Sequence, residues 1–337
     1  MIFMKPNEET VKTLLQSISS PQPSKRLEAK QLILALGEEI MDILDEFSGH
    51  NESGIRKSAA RAFGWIHQQN ILELWRDYRV STQRHSIEFG ALLIAQAEYP
   101  SLDTEKISRE LDSMAAELRR RVVGISDPVD FVHALNEHFF CELGFSGNTD
   151  DYYEPRNSFL PDILERRTGI PITLSMIYLA LAERAGLKLH GIGMPGHFMV
   201  RLAEDADFFI DVFHGGQFLT RQDCTDMMRS FRIAYSPQFL SPISPKDIYI
   251  RMLRNLIAIY HKLEIPIKAK FAIEQVLVLE STSPIERYMH ASICAEMGET
   301  DAAIEDLRIL ESLPEHVRQI PQNQLVQLAT RLIAGNN

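Results

Sequence analysis

Residues 169–198 read GIPITLSMIYLALAERAGLKLHGIGMPGHF, and their layout decides the fold. Gly169 opens a turn, and Pro171 stands at the first turn of a helix, where its missing N–H costs nothing and its φ is already helical. Leu174, Ile177, Tyr178, Leu181 and Ala182 recur at helical spacing and form an apolar face. The helix should therefore run through Ala185 and stop at Gly186, a residue suited to the left-handed cap. LKLHGIGM (187–194) then alternates as a strand. PGHFMVRL (195–202) and FFIDVF (208–213) read as two more strands, joined across the acidic turn AEDAD (203–207). A buried helix followed by antiparallel strands places the central region in the α+β class.

That hairpin pairs about positions 204–206, which sets His197 close to opposite Asp211, with cross-strand neighbours about 5 Å apart. A carboxylate there accepts a proton from one imidazole nitrogen, fixes the tautomer and leaves the other nitrogen facing the helix start. These are the base and the orienting group of a triad. A helix start also lowers a thiol pKa and stabilises an oxyanion, so a cysteine at position 171 would be chemically useful; the residue there is Pro171. Thr173 lies two residues on and faces elsewhere. Ser175 lies on the same face, about 6 Å further along the axis. Its neighbours Leu174, Met176 and Ile177 imply burial, and its hydroxyl could bond a carbonyl one turn back.

Ser175, His197 and Asp211 are thus the candidate catalytic residues. Each also has an ordinary structural reading: a small packing residue on a helix, a histidine at a strand start, an aspartate opening a turn. His214 adds a third possible ligand to His197 and Asp211, but spacings of 14 and 3 along a hairpin are a weak metal signal. Neither a metal nor a cofactor is expected.

Working outward, RLEAKQLILALGEEIMDILDEF (26–47) and GIRKSAARAFGWIHQQNILELW (54–75) both read as helical, with Gly37 and Gly64 marking helix ends. A shift of 30 residues lays Arg26-x-x-Ala29 on Arg56-x-x-Ala59, as in a stacked HEAT-like array, although a plain irregular helical region is the alternative. Residues 101–121 form a long amphipathic helix capped by Asp103 or Thr104, whose closing Arg119, Arg120 and Arg121 complement its dipole. A second helix over 127–143 ends at Gly144. The stretch FSGNTDDYYEPRNSFL (145–160) is a loop, and Asn157 or Ser158 can cap the short helix after it. SPQFLSPISPKD (236–247) reads as a linker. Beyond it, segments 263–279 and 297–313 superpose with a shift of 34 residues, the tetratricopeptide period, placing Ala269 on Ala303, Ile273 on Leu307 and Val276 on Leu310. The expected organisation is a helical region over 1–98, a central domain over 99–235 and helical repeats over 246–337.

Composition narrows the classes of function. A length of 337 residues suggests two or three domains, and 45% hydrophobic with 24% charged residues is the make-up of a globular chain. A formal charge of −11 opposes a nucleic-acid role, which needs a concentrated basic face. Cys141, Cys224 and Cys294 are far apart and form no CxxC pair, against a disulfide framework or a cysteine zinc site. The start MIFMKPNEET does not read as a signal peptide. The apolar run at 174–182 is about half of the roughly 20 residues a membrane span needs. The expected location is cytoplasmic, with no membrane association.

Residues 147–201 carry Asp151-Tyr152-Tyr153, Pro155-Arg156-Asn157-Ser158, Arg166-Arg167, Gly169-Ile170-Pro171-Ile172, Leu174-Ser175, Arg184-x-Gly186-Leu187 and Pro195-Gly196-His197-Phe198. In these motifs the chain closely resembles the SirB-type, transglutaminase-like bacterial family, whose members commonly carry a tetratricopeptide-like tail. The resemblance covers roughly 89–230 well and the tail loosely. It implies a papain-like domain, a helix packed on an antiparallel sheet, with Cys at the helix start and His and Asp on successive strands. Position by position, the family's Gly-x-Cys falls on Gly169-Ile170-Pro171, its His on His197 and its Asp on Asp211. The nucleophile is therefore replaced by proline, and none of the three cysteines stands where it obviously substitutes. The implied function is a degenerate, non-catalytic domain that binds a protein partner through its cleft, bordered by Tyr153, Arg156, Asn157 and Pro171, and through its helical repeats. The alternative is a hydrolase or acyl transferase of amide or ester bonds that uses Ser175, His197 and Asp211.

Overall fold

The computed structural model describes residues 6–83, 85–203 and 205–335. The chain divides into two compact units, Met1–Val80 and Ser81–Asn337.

The first unit is helical: α1 (Glu8–Ser17), α2 (Pro23–Leu36), α3 (Met41–Ser48) and α4 (Ser53–Val80). Val11, Leu15, Ile33, Leu44, Ala59 and Ile66 are among the side chains of its own core. The two arginines matched by the 30-residue shift do the same job. Arg26 donates to the carbonyls of Ser20 and Pro21, both at 2.9 Å, and Arg56 donates to those of His50 and Asn51 at 2.6 and 2.9 Å. Each ties the incoming loop to the first turn of its helix, while Ala29 and Ala59 face inward. Gly37 ends α2 at a positive φ of 53°. Gly64 does not end a helix, because α4 continues unbroken through it to Val80. A mid-helix glycine costs about 1 kcal/mol relative to alanine, and the packing of Ala59, Ala62 and Ile66 outweighs that.

The second unit begins with α5 (Phe89–Glu98), α6 (Thr104–Arg121) and α7 (Pro128–Asn136). Asp103 is the cap of α6, accepting from the Lys106 amide at 2.9 Å. Then come β1 (Ser146–Gly147), α8 (Leu160–Arg166), β2 (Thr168–Gly169) and α9 (Pro171–Ala185). The capping expected of Asn157 or Ser158 is absent: both lie in a 3-10 turn, and α8 starts from Phe159 without a side-chain cap. α9 matches its expected bounds, with Gly186 left-handed at its end. Every residue from Pro171 to Ala182 is buried, so the helix is enclosed on all sides rather than along one stripe.

Four antiparallel strands, β3 (Leu189–Ile192), β4 (Met199–Leu202), β5 (Phe209–Asp211) and β6 (Gln217–Leu219), pair in chain order beside α9. β6 was not expected; three residues are too few for an alternating pattern to register. After α10 (Arg221–Ser230), the proline-rich stretch is not a free linker. Leu240 is buried in the sheet core, Pro242 bridges Ile192, and the Ile243 amide donates to Gly191 at 3.0 Å. This stretch covers the open edge of β3, so its backbone groups find partners that its composition did not suggest.

Ser244 then caps α11 (Pro245–Lys262), and α12 (Pro266–Leu279), α13 (Pro284–Glu296), α14 (Thr300–Ser312), α15 (Glu315–Arg318) and α16 (Gln322–Gly335) follow. The 34-residue shift superposes α12 on α14. Ala269, Ile273 and Val276 in the first, and Ala303, Leu307 and Leu310 in the second, are all buried. Among the described residues no helix is long and apolar enough to cross a membrane.

Candidate functional site

The start of α9 is held by short-range geometry. β1 and β2 pair in parallel, Ser146 with Thr168 and Gly147 with Gly169. This places the chain just before α9 beside the loop that follows α7. Ile170 is extended, and its amide donates to Thr173 Oγ1 at 3.2 Å. The Thr173 hydroxyl in turn donates to the Asn157 carbonyl at 2.8 Å. Gly147 links this corner to the turn after β5. A Cβ on Gly147 would lie 2.6 Å from the Phe213 carbonyl oxygen and 2.7 Å from its ring, closer than real side chains approach. Only glycine lets the helix start and that turn lie so close together.

Asp211 closes β5 and is 1% exposed. Its Oδ1 accepts from the amides of Phe213 and His214 at 3.1 and 3.2 Å, which fixes the carboxylate plane. Its Oδ2 lies 2.9 Å from Nε2 of the buried His197 and 2.8 Å from Nδ1 of the half-exposed His214. Burial works against a charged Asp211, but the hydrogen bonds and positive potential of the two imidazoles outweigh it and hold the carboxyl below its ordinary value. Oδ2 carries only acceptor lone pairs, so each of these imidazole nitrogens bears a proton and donates. His197 therefore has Nδ1 as the nitrogen not engaged by Asp211.

Ser175 is not joined to this group. It is fully buried and its Oγ has no hydrogen-bond partner, so it makes no hydrogen bond to His197. Pro171 is buried at the helix start. The residues expected to border the cleft divide. Asn157 is internal: its Oδ1 accepts from Asn148 at 3.0 Å, and its Nδ2 donates to the Asp151 carbonyl at 2.7 Å. It braces the 148–158 loop. Tyr153 and Arg156 lie at the surface, Tyr153 beneath the Lys262 ammonium at 3.7 Å from its ring centroid and Arg156 paired with Glu154 at 3.2 Å. Several other motif residues are architectural. Arg167 adopts a left-handed φ of 57° at the end of α8, and Arg184 joins α9 to Glu88 and Asp112.

Two positioning groups escaped the sequence reading. Asn136 donates to the Gly216 carbonyl at 3.0 Å and accepts from the Tyr178 hydroxyl at 2.7 Å, tying the turn after Asp211 to α9. Arg251, from α11, donates to the carbonyls of Gly193, Met194 and His197 at 3.0, 3.0 and 3.1 Å, and so sets the backbone that carries His197. Neither leaves a local signal, since their partners are 42 to 80 residues away. A cavity of about 540 Å³ lies between α9, β3 and the start of α11, lined among others by Leu179, Glu183, His190 and Ile248. None of the candidate site residues lines it.

Residues 105–254 match the family described as the transglutaminase-like superfamily, a span that reaches from α6 to Arg254 and includes Arg251. A UPF0162 protein from Xylella fastidiosa is 33% identical over 276 residues, which cover 79% of this chain and 98% of that protein. A UPF0162 protein from Pseudomonas aeruginosa is 27% identical over 226 residues, 65% of this chain and 81% of the relative. The protein named F-box only protein 21 from Homo sapiens is 31% identical over 135 residues, 37% of this chain but 21% of that protein. No solved structure shows a significant match.

Proposed function

We propose, from the premise that this chain belongs to the UPF0162 family and carries a transglutaminase-like domain, that the domain is degenerate and serves as a protein-binding adaptor. The observation that carries this reading is Pro171, which offers neither thiol nor hydroxyl where the domain's nucleophile would stand. The pair that would serve such a nucleophile, His197 and Asp211, is hydrogen-bonded at 2.9 Å, but the nearest alternative on the same helix face, Ser175, is sealed in the core without a partner. An oxyanion or acyl group would have to reach a hydroxyl that solvent does not reach.

On this reading the SirB-type, papain-like arrangement supplies a cleft for binding, and the helical flanks, HEAT-like before it and tetratricopeptide-like after it, supply contact surfaces. Exposed apolar side chains on both flanks, such as Leu27 and Leu32 on α2 and Ile267 and Ile285 on α12 and α13, fit that use. So does the occurrence of a related segment as a 21% portion of a much longer protein, as expected of a module placed in different settings. The partner is a protein rather than a nucleic acid, in keeping with the formal charge of −11, and the setting is the bacterial cytoplasm.

The test is enzymatic. The purified full chain is assayed for glutamine deamidation, amine cross-linking and ester hydrolysis, beside His197→Ala. We expect no turnover above the variant's background and no labelling of Ser175 by a serine-directed phosphonate that labels a control hydrolase. Turnover abolished by His197→Ala would sink the adaptor reading. Labelling of Ser175 would establish the serine mechanism in its place.

A further inference from the structure

His214 plays no part in the histidine–aspartate pair of a transglutaminase-like site, yet the fold delivers it to the same carboxylate oxygen as His197. Chain spacing alone gives only a weak sign of this convergence. His197 sits in the loop leading into β4, whereas His214 lies in the turn that leaves β5, three residues beyond Asp211. In the folded chain one nitrogen from each imidazole and one oxygen of Asp211 lie within 4.8 Å of one another. We propose that His197 Nε2, Asp211 Oδ2 and His214 Nδ1 form a binding site for a divalent transition metal of the zinc class.

Four observations support the assignment. The donor set is two imidazoles and one carboxylate, which suits zinc and its neighbours, whereas calcium or magnesium requires more oxygen ligands. The ligating oxygen is held in place, because Oδ1 of the same carboxylate is fixed by the Phe213 and His214 amides, the kind of outer contact that orients a metal ligand. Among the described residues Asp211 has ion pairs only with the two histidines, so no lysine or arginine competes for its charge. Access is one-sided: His197 and Asp211 are buried, Phe213 stands edge-on to both imidazoles, and the His214 side chain is 54% exposed.

Metal binding requires a local adjustment of the two rings. A tetrahedral ion with bonds of about 2.0 to 2.1 Å needs its ligand atoms about 3.3 Å apart. The two nitrogen–oxygen separations are 2.9 and 2.8 Å, so each must open by roughly half an ångström, while the two nitrogens, now within 4.8 Å of each other, must close toward the same spacing; the exposed His214 ring can move, and the buried His197–Asp211 pair must yield slightly. The ligating nitrogen of each imidazole gives up the proton it donates to Asp211, as metal ligation requires. A bound metal would occupy the nitrogen and oxygen through which Asp211 orients His197, a use of the pair that does not require a nucleophile at position 171. The proposal stands whether or not the cleft binds a protein partner.

The test is a titration of chelator-stripped full chain with Zn²⁺ alone at neutral pH, by calorimetry, with Co²⁺ absorption as a spectroscopic check on the donor set. All proteins carry Cys141→Ser, because that exposed thiol stands beside Glu137 and Glu142 and could hold an adventitious ion. We expect one ion per chain, and at least tenfold weaker binding in His214→Ala and in His214→Gln, with circular dichroism unchanged and the metal-free melting temperature only slightly lowered. His316→Ala, at an exposed histidine on α15, should bind as the parent does. The absence of stoichiometric binding, or undiminished binding by either His214 variant, would overturn the site.

Discussion

Asp211 answers several demands at once. It caps the turn after β5 through Oδ1 and gathers two imidazoles on Oδ2, all while almost wholly buried. Because its folded-state carboxyl lies below its ordinary value of 3.8, its contribution to stability is present above about pH 4 and is lost as the pH falls through the folded value. Asp211→Asn should therefore cost about 2 kcal/mol near neutral pH and flatten the acid limb of the stability curve, read from thermal melts between roughly pH 2 and 6. Ser175 is the opposite case. Its buried hydroxyl has no partner, so Ser175→Ala should leave urea stability unchanged or raise it by up to about 1 kcal/mol. A large loss would mean that the hydroxyl holds a bond the fold requires.

Elements in this chain are set partly by their own residues and partly by what they touch, and two glycines separate the contributions. Gly64 lies in mid-helix with open space where a Cβ would go, so Gly64→Ala should stabilise by about 0.5 to 1 kcal/mol. At Gly147 the same substitution drives a Cβ against the Phe213 backbone, and Gly147→Ala should destabilise by about 1 to 3 kcal/mol. Denaturant melts of the pair check both signs. Much of the second unit's layout was readable at this level. The bounds of α9, the Asp103 cap and the β4–β5 hairpin follow from periodicity, cap chemistry and an acidic turn. The uninterrupted run of α4 and the docking of 240–243 on β3 did not, because glycine and proline report local backbone preference and not the packing that overrides it.

Across the whole molecule, the helical tail carries its own electrostatic core, made of His290, Asp306, Glu274, Cys294, Glu299, Lys270 and Arg287. His290 Nδ1 lies 2.5 Å from Asp306 and its Nε2 3.4 Å from Glu274, while Arg287 meets Asp306 at 2.9 Å and Lys270 meets Glu299 at 2.6 Å. Burial disfavours a charged His290, but its bonds to Asp306, Cys294 and Glu274 push its pKa up to about 11. A raised folded pKa makes the charged ring's contribution complete below about 6.5, declining above that and gone above about 11. The wild type should thus lose melting temperature between roughly pH 7 and 10, and His290→Gln, already less stable, should show a shallower decline. The division after Val80 has its own consequence. With a separate core in each unit, residues 81–337 expressed without 1–80 should fold, giving the helical circular dichroism and cooperative melt of a compact domain; a non-cooperative melt would show that the second unit depends on the first.

By itself the sequence determined the α+β character of the central region, the course of α9 and the closeness of His197 to Asp211. It also shows Pro171, with neither thiol nor hydroxyl, at the start of that helix. The helix rests on short-range rules, helical period and cap preference; His197 lies in the loop before β4 rather than on the strand expected from 195, and it meets Asp211 because β4 and β5 are neighbours. The tertiary structure alone decided that Ser175 is sealed from His197 and that Asn157 braces a loop. It alone decided that Arg251 and Asn136 hold the site from distant helices and that His214 shares an oxygen with His197. Those outcomes depend on which atoms meet across separations of up to 80 residues. Such meetings are set by how enclosed helices and short strands pack against one another, and residue spacing along the chain gives at most a weak hint of them.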